Sequence, residues 1–292
     1  MCGLDPDLSI IYFFEGVMMG NPEIGSRVVA AGIDTNYHSV GEGNPVLLIH
    51  GSGPGVSAYA NWRLTMPVLG KHFRVVAPDM VGFGFTDRPA GYVYSKENWV
   101  RHIIGVMDAL GIERADIIGN SFGGALAIAT ALEHPERVGR LVLMGAAGTH
   151  FELTPGLDAV WGYTPSIENM RKLLDIFAYD RSLVNDELAK LRYEASIRPG
   201  FQESFSSMFP APRQRWVDAL ASSDEQIRSL PNDVLLIHGR EDQVVPLVSS
   251  MRLCELIRRA QLHVFGCCGH WVQIEWADEF TELVVDFLGR PV

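Results

Sequence analysis

Apolar residues along this chain follow two rhythms. Short, nearly continuous apolar runs at residues 46–49, 73–77, 115–118, 140–144, 233–239 and 261–265 are too brief for helices and read as strands. Residues 27–31 and 35–40 precede them as an antiparallel opening pair. Between the runs, apolar positions three and four apart predict helices over 96–110, 124–133 and 278–288, the second rich enough in alanine to lie close against a sheet. Strands that alternate with helices make an α/β domain with a mostly parallel central sheet and helices on both faces.

The alternation stops after residue 144. From about 153 to 223 the segments read as helices only, over 167–179, 186–197, 202–208 and 213–221, with starts marked by Thr164-Pro165, Asn185 and Pro212. The expected organisation is a core of residues 21–152 and 224–292 with an inserted helical lid of residues 153–223. Residues 1–20 stand apart as an N-terminal extension. Its apolar run, 10–19, is short, is broken by Glu15 and lacks both a basic leader and a small-residue cleavage site. It therefore reads as neither a secretion signal nor a membrane span, and Met18 and Met19 are alternative starts.

At 292 residues and 47% hydrophobic, the chain can bury one large core. A net charge of −11 argues against nucleic acid or an anionic membrane as partner, and it makes any buried arginine more informative. Cys2, Cys254, Cys267 and Cys268 form no disulfide framework, so they are expected as core residues in a reducing compartment, the cytoplasm. Cys267-Cys268 beside His270 lacks the spacing and second ligand pair of a metal site, and no metal is expected.

The candidate chemistry begins at Gly119-Asn120-Ser121-Phe122-Gly123, between the 115–118 strand and the helix that follows. A serine on so sharp a strand-to-helix turn has its hydroxyl exposed, and the flanking glycines let the turn pack. A serine hydroxyl is a weak nucleophile, so it needs a base and a carboxylate to orient that base. His270 follows the 261–265 strand on a glycine-rich loop, and Asp242 lies three residues past Gly239, which ends the 233–239 strand. Glu241 is the rival acid; the spacing from that glycine favours Asp242. The order Ser121, Asp242, His270, each after a strand, is that of the α/β-hydrolase fold. An oxyanion hole is also required, and the N–H groups of Ser52 and Phe122 are its candidates. Ser52 lies in the loop His50-Gly51-Ser52-Gly53-Pro54-Gly55, which has no following Lys-Ser/Thr and so is not a phosphate loop.

In the lid, Leu188, Leu191 and Ala195 share a face of the 186–197 helix, with Arg192 on its margin. The guanidinium either snorkels past the apolar stripe to solvent or anchors a carboxylate on the buried side.

With these residues in place, the chain resembles the meta-cleavage-product hydrolases, the carbon–carbon bond hydrolases of bacterial aromatic degradation. The resemblance runs from about Asn21 to Gly289. It is carried by the glycine loop from His50 to Asn61, by Asn120 before the serine and by Trp271 after the histidine. The segments 159–171 and 200–210 look like those of members acting on alkyl ring-fission products of isopropylbenzene and toluene. Asp79-Met80-Val81-Gly82-Phe83-Gly84 is common to many hydrolases and adds little, and Cys267 stands where a basic residue is expected.

The resemblance implies a 2-hydroxy-6-oxo-alkyl-2,4-dienoate substrate cleaved by water to 2-hydroxypenta-2,4-dienoate and a carboxylic acid. It implies that Arg192, Asn120 and Trp271 hold the carboxylate and 2-oxo end, and that Asn61, Ser52 and Gly53 approach the dienoate. Val244, two residues after Asp242, is expected at the mouth of the site as a determinant of the C6 substituent. No cofactor is implied, and a homo-oligomer is expected. The alternatives are a 2-hydroxymuconate-semialdehyde hydrolase and a general carboxylesterase, with a non-catalytic ligand receptor on the same fold as a further class.

Overall fold

The computed structural model describes residues 20–290, so the N-terminal apolar run and the alternative starts at Met18 and Met19 lie outside the described residues. Eight strands form one sheet: β1 (Ser26–Ala30), β2 (Ile33–Val40), β3 (Pro45–Ile49), β4 (Arg74–Pro78), β5 (Ala115–Asn120), β6 (Val138–Met144), β7 (Val234–Gly239) and β8 (Ala260–Phe265). Their order is β1-β2-β4-β3-β5-β6-β7-β8. The pairings of β2 with β1 and β4 are antiparallel and every other pairing is parallel. The chain crosses from β4 over β3 to β5, so loops leaving β3 and β5 diverge on either side of a switch point, where open α/β sheets form ligand crevices. Ile49 pairs with Gly119, Asn120 with Met144 and Gly239 with Phe265, which brings the carboxyl ends of these strands to one edge.

Alternate residues face opposite sides of the sheet. Leu47, Ile49, Ile117, Leu141 and Leu143 join one buried cluster, whereas Val46, Leu48, Ile118, Val142 and Met144 join the other. The first cluster takes in the helices Lys96–Ala109 and Phe122–Glu133, and the second takes in Ala277–Gly289. The helices are thus on both faces. Among the described residues, no helix is long and apolar enough to cross a membrane.

Between β6 and β7 lie the helices Pro155–Trp161, Ile167–Phe177, Asp186–Ser196, Phe201–Met208, Gln214–Leu220 and Asp224–Arg228. Leu157, Val160, Met170, Phe205 and Met208 pack into the same cluster as Leu47 and Ile49, so this helical roof shares the main core. The helix expected to reach residue 179 stops at Phe177: Ala178 is extended, and Glu275 Oε2 takes the N–H groups of Tyr179 and Asp180 at 2.8 and 2.9 Å. The helix Leu247–Leu256 was not apparent from the pattern because Ser249 and Ser250 occupy its buried face beside Leu253 and Leu256. Of the three cysteines among the described residues, Cys268 is buried and Cys254 half-buried, but Cys267 is exposed, contrary to its expected core position.

One buried carboxylate ties the strands to the loops above them. Asp79, after β4, is fully buried and accepts from Ala58 N–H at 2.6 Å, Phe85 N–H at 2.7 Å and Asn36 Nδ2 at 2.8 Å. Burial raises its pKa from 3.8 to about 6, with those hydrogen bonds opposing the rise. Because the folded chain then holds this proton more tightly than the unfolded one, the Asp79 contribution to stability falls as pH rises from 3.8 through about 6. Asp79→Asn removes an acceptor and turns an NH₂ toward donors. It is expected to cost about 1–3 kcal/mol in denaturant unfolding and to flatten the pH dependence over that window; unchanged stability would show that the three contacts contribute nothing net.

Candidate active site

Ser121 sits in the turn between β5 and the helix Phe122–Glu133 with φ 55° and ψ −114°, a backbone that side-chain-bearing residues rarely adopt. Close packing enforces it. A Cβ on Gly119 would lie 2.4 Å from Gly123 O, and one on Gly123 would lie 2.2 Å from Ile49 O, so both positions admit only glycine. The Ser121 N–H donates to Met144 O at 2.9 Å, and its carbonyl accepts from Gly124 and Ala147 N–H, each at 3.0 Å. The side chain is therefore driven upward, away from the sheet, into the crevice.

His270 Nδ1 lies 2.7 Å from Asp242 Oδ2, and both residues are almost wholly buried. Asp242 Oδ1 accepts from the N–H groups of Val244 and Val245 at 2.7 and 3.0 Å. Burial alone would raise the Asp242 carboxyl, but the charges and hydrogen bonds of His270 and His238 outweigh it and hold the group well below the usual carboxylate range. Glu241 is turned elsewhere, to the Cys268 N–H at 3.0 Å and to Arg240, so of the two acids only Asp242 contacts His270. His270 also donates its own N–H to Phe177 O at 2.7 Å, fastening the histidine loop to the helical roof.

The glycine loop after β3 lies opposite. Asn61 Oδ1 accepts from Gly51 N–H at 2.9 Å, so its acceptor is committed to the loop and only the amide Nδ2 remains to meet a ligand. Ser52 Oγ accepts from Trp161 Nε1 at 3.0 Å, a second tie to the roof. Among the described residues, neither the Ser52 nor the Phe122 N–H donates to a protein acceptor, and Phe122 N–H is the first of its helix, where such groups have no intrahelical partner. The Phe122 ring itself is core.

A cavity of about 470 Å³ joins these parts. Ser52, Gly53, Asn61, Asn120, Ser121, Arg192, Val244, His270 and Trp271 all line it, so nine predicted positions share one space, and Asp242 stands behind His270. Trp271 stacks on Phe177 with centroids 4.9 Å apart and planes at 11°. Val244 is 1% exposed, so it belongs to the inner wall rather than the mouth where it was expected. The helix Asp186–Ser196 also differs from its expected face: Leu191 is 52% exposed, whereas the Arg192 side chain is only 14% exposed. Arg192 donates to Gly55 O and lies 3.6 Å from Glu23, so it faces inward and does not snorkel to solvent.

Several residues of this site carried no role in the sequence reading. His238, fully buried, places Nε2 3.4 Å from Asp242 Oδ2, and its motif position before Gly239 was the only signal. His50 takes the Met80 N–H on Nε2 at 2.9 Å, so its proton is on Nδ1 and donates to Gly51 O at 2.7 Å; burial holds its pKa down to about 4 and keeps it neutral. Glu275 binds the N–H groups of Gly269, Tyr179 and Asp180, joining roof to histidine loop. Glu23 and Arg198, at the far end of the cavity, had no signal because their partners are remote in sequence.

Comparison with known proteins identifies the family. The alpha/beta hydrolase fold family matches residues 44–277. A 2-hydroxy-6-oxo-2,4-heptadienoate hydrolase of Pseudomonas putida is 66% identical over 268 residues, covering 92% of this chain and 97% of its own. A 2-hydroxymuconate semialdehyde hydrolase of a Pseudomonas species is 65% identical over 270 residues, covering 92% and 95%. The meta-cleavage product hydrolase of Pseudomonas fluorescens, solved as a serine-to-alanine mutant complexed with acetates, superposes with TM-score 0.92 at 76% identity, covering 92% and 99%.

The Asp242–His270 pair has a close neighbour that tests its precision. Gly145 has φ +49°, and a Cβ there would lie 3.2 Å from both Asp242 Oδ2 and His270 Nδ1. Gly145→Ala is expected to cost about 1–2 kcal/mol from the left-handed backbone and to lower kcat by more than that loss of folded protein explains. Wild-type kcat in the folded variant would mean that the pair tolerates displacement.

Proposed function

The chain belongs to the α/β-hydrolase fold family and, within it, to the meta-cleavage-product hydrolases, and from that premise we propose that Ser121, His270 and Asp242 hydrolyse the C–C bond beside the C6 carbonyl of 2-hydroxy-6-oxo-alkyl-2,4-dienoates. The observation that carries the assignment of roles is the single cavity in which Ser121 and His270 meet a buried arginine. A triad alone suits any ester. A guanidinium in the same cavity suits a substrate with a carboxylate at one end and a carbonyl at the other.

The chemistry follows from the leaving group. Breaking C5–C6 in the dienol would expel an unstabilised carbanion, so the substrate first ketonises: the 2-hydroxyl proton is lost and C5 gains one. His270, oriented by Asp242, is the group to move that proton: its free ring nitrogen takes the 2-hydroxyl proton and the imidazolium so formed delivers a proton to C5. Attack on the C6 carbonyl, by Ser121 or by water activated through it, then puts negative charge on the carbonyl oxygen. The N–H groups of Ser52 and Phe122 are suited to receive it. Collapse breaks C5–C6, and the electron pair is accepted by the C2 ketone as the dienolate of 2-hydroxypenta-2,4-dienoate. One water is consumed in all and the other fragment leaves as a carboxylic acid. Arg192, Asn120 and Trp271 hold the carboxylate and 2-oxo end, with Asn61 and Gly53 beside the diene.

The substituent at C6 is expected to be small. The two relatives named above act, by their names, on substrates with methyl and hydrogen at that position. Val244, Leu157 and Val160 all line the cavity and give its wall apolar side chains, and a β-branched side chain does not swing aside cheaply. The semialdehyde reading differs only in this substituent. The helical segment 153–223 serves as the lid over the 21–152 and 224–292 core. A cytoplasmic setting is supported by free thiols at Cys254, Cys267 and Cys268, and a homo-oligomer by the family likeness.

Ser121→Ala is expected to lower kcat by at least ~100-fold while substrate still binds, since the nucleophile is used mainly in the transition state; near-normal turnover would exclude the assignment. Arg192→Ala should cost about 1.5–3 kcal/mol in kcat/KM, and Arg192→Lys should recover only part because the planar fork is lost. No change in either variant would remove the carboxylate from that end. Across 6-methyl, 6-isopropyl and 6-phenyl substrates, kcat/KM should fall toward phenyl by a step of about 1–3 kcal/mol; a phenyl optimum would contradict the small C6 pocket.

A further inference from the structure

The far end of the cavity holds more charge than a monocarboxylate substrate needs. Arg192 and Arg198 both approach Glu23, at 3.6 and 3.8 Å, and Arg63 lies at the rim. The Glu23 side chain is 9% exposed and lines the cavity. Neither arginine is within hydrogen-bond distance of it, so toward both it acts by charge rather than by fixing geometry. Its place is fixed independently. Ser57 Oγ donates to Glu23 Oε2 at 2.7 Å, Asn36 Nδ2 donates to its carbonyl at 3.0 Å, and its N–H donates to Asn21 Oδ1 at 3.0 Å. The arginines are also held by other groups: Arg192 by Gly55 O, and Arg198 by the ring faces of Phe85 and Phe201, 4.7 and 5.7 Å from its guanidinium carbon.

We propose that Glu23 is a resident counter-charge that tempers the affinity of this end for carboxylates, so that a monoanionic diene product leaves a site built to attract it. The inference rests on the reading that the substrate carboxylate binds at Arg192. Burial lowers the Arg192 pKa, Glu23 opposes that, and Arg63 and Arg198 add to it, so among the described residues Glu23 is the carboxylate that offsets the charge on Arg192. A carboxylate 3.6 and 3.8 Å from two guanidiniums competes with any incoming carboxylate for the same field. Without it, the cluster would hold the dienoate product as tightly as the substrate, and uniformly tighter binding does not speed turnover.

The probes are hexa-2,4-dienoate, a stable dienyl carboxylate, and its neutral amide, each used as a competitive inhibitor of the full-length enzyme. Glu23→Gln keeps the Ser57 contact and the shape while removing the charge. It should tighten inhibition by the dienoate about tenfold, or about 1.4 kcal/mol, and leave the amide unchanged, with the gain shrinking in high salt. Glu23→Asp retains the charge and should stay near wild type. The inference is overturned if the dienoate binds no tighter or more weakly to Glu23→Gln, or if dienoate and amide gain alike. Arg192→Ala separates the two levels. If that variant leaves dienoate inhibition unchanged, the carboxylate reading itself fails; if it weakens inhibition but Glu23→Gln does not tighten it, only the counter-charge fails.

Discussion

A left-handed backbone at Ser121 is the constraint from which the site is organised. Such a conformation costs about 1–3 kcal/mol for a residue with a side chain, and it persists because neighbouring backbone leaves no alternative. Gly119 lies against Gly123, and Gly123 against the carbonyl of Ile49, so β5, its helix and the end of β3 are locked together at van der Waals distance. The same contact that strains the serine also sets the glycine loop after β3 beside it. Ser121 and the Ser52 and Phe122 N–H groups proposed to serve it are therefore placed by one packing event. Gly145, after the adjacent β6, extends the principle to Asp242 and His270, since a Cβ there would lie 3.2 Å from each and press on the pair.

Electrostatics divides the cavity into two ends. Near Ser121, a fully buried Asp242 is held ionised by two histidines and two backbone N–H groups, which fixes His270 with Nδ1 toward the acid and leaves Nε2 toward the cavity. At the other end, arginines from the roof gather in a protein whose net charge is −11. On the proposed reading, this division helps orient a substrate that carries its charge at one end and its electrophilic carbon at the other. The roof that supplies Arg192 is in turn pinned to the catalytic loops, by Phe177 O on His270, by Trp161 on Ser52 and by Glu275 on the Tyr179 and Gly269 N–H groups.

The fold was legible because it rests on local pattern, and the same holds for the meeting of Ser121, His270 and Asp242 at one cavity. Apolar runs gave six of the eight strands and the opening antiparallel pair the other two, each to within a few residues, and chain order with strand-end glycines selected Ser121, Asp242 and His270. The family likeness added Asn61, Asn120 and Trp271, and all three reach the cavity. What failed had non-local causes. The helix Leu247–Leu256 buries serines that bond to Ala146 O and to His238, so its inner face does not look apolar. Helical periodicity placed Leu191 inward, yet the helix is rotated so that Ala189, Ala195 and Arg192 turn in. Glu23 and Arg198 are separated from one another by most of the core, and only the folded chain brings them to one charge cluster.

Product stoichiometry tests the central claim most directly. With 2-hydroxy-6-oxohepta-2,4-dienoate as substrate, decay of the yellow dienolate should yield acetate and 2-hydroxypenta-2,4-dienoate in equal amounts, with oxygen from labelled water appearing in the acetate. Hydrolysis of simple nitrophenyl esters with no acetate released from the dienoate would contradict carbon–carbon cleavage, and would leave this cavity to an ordinary esterase.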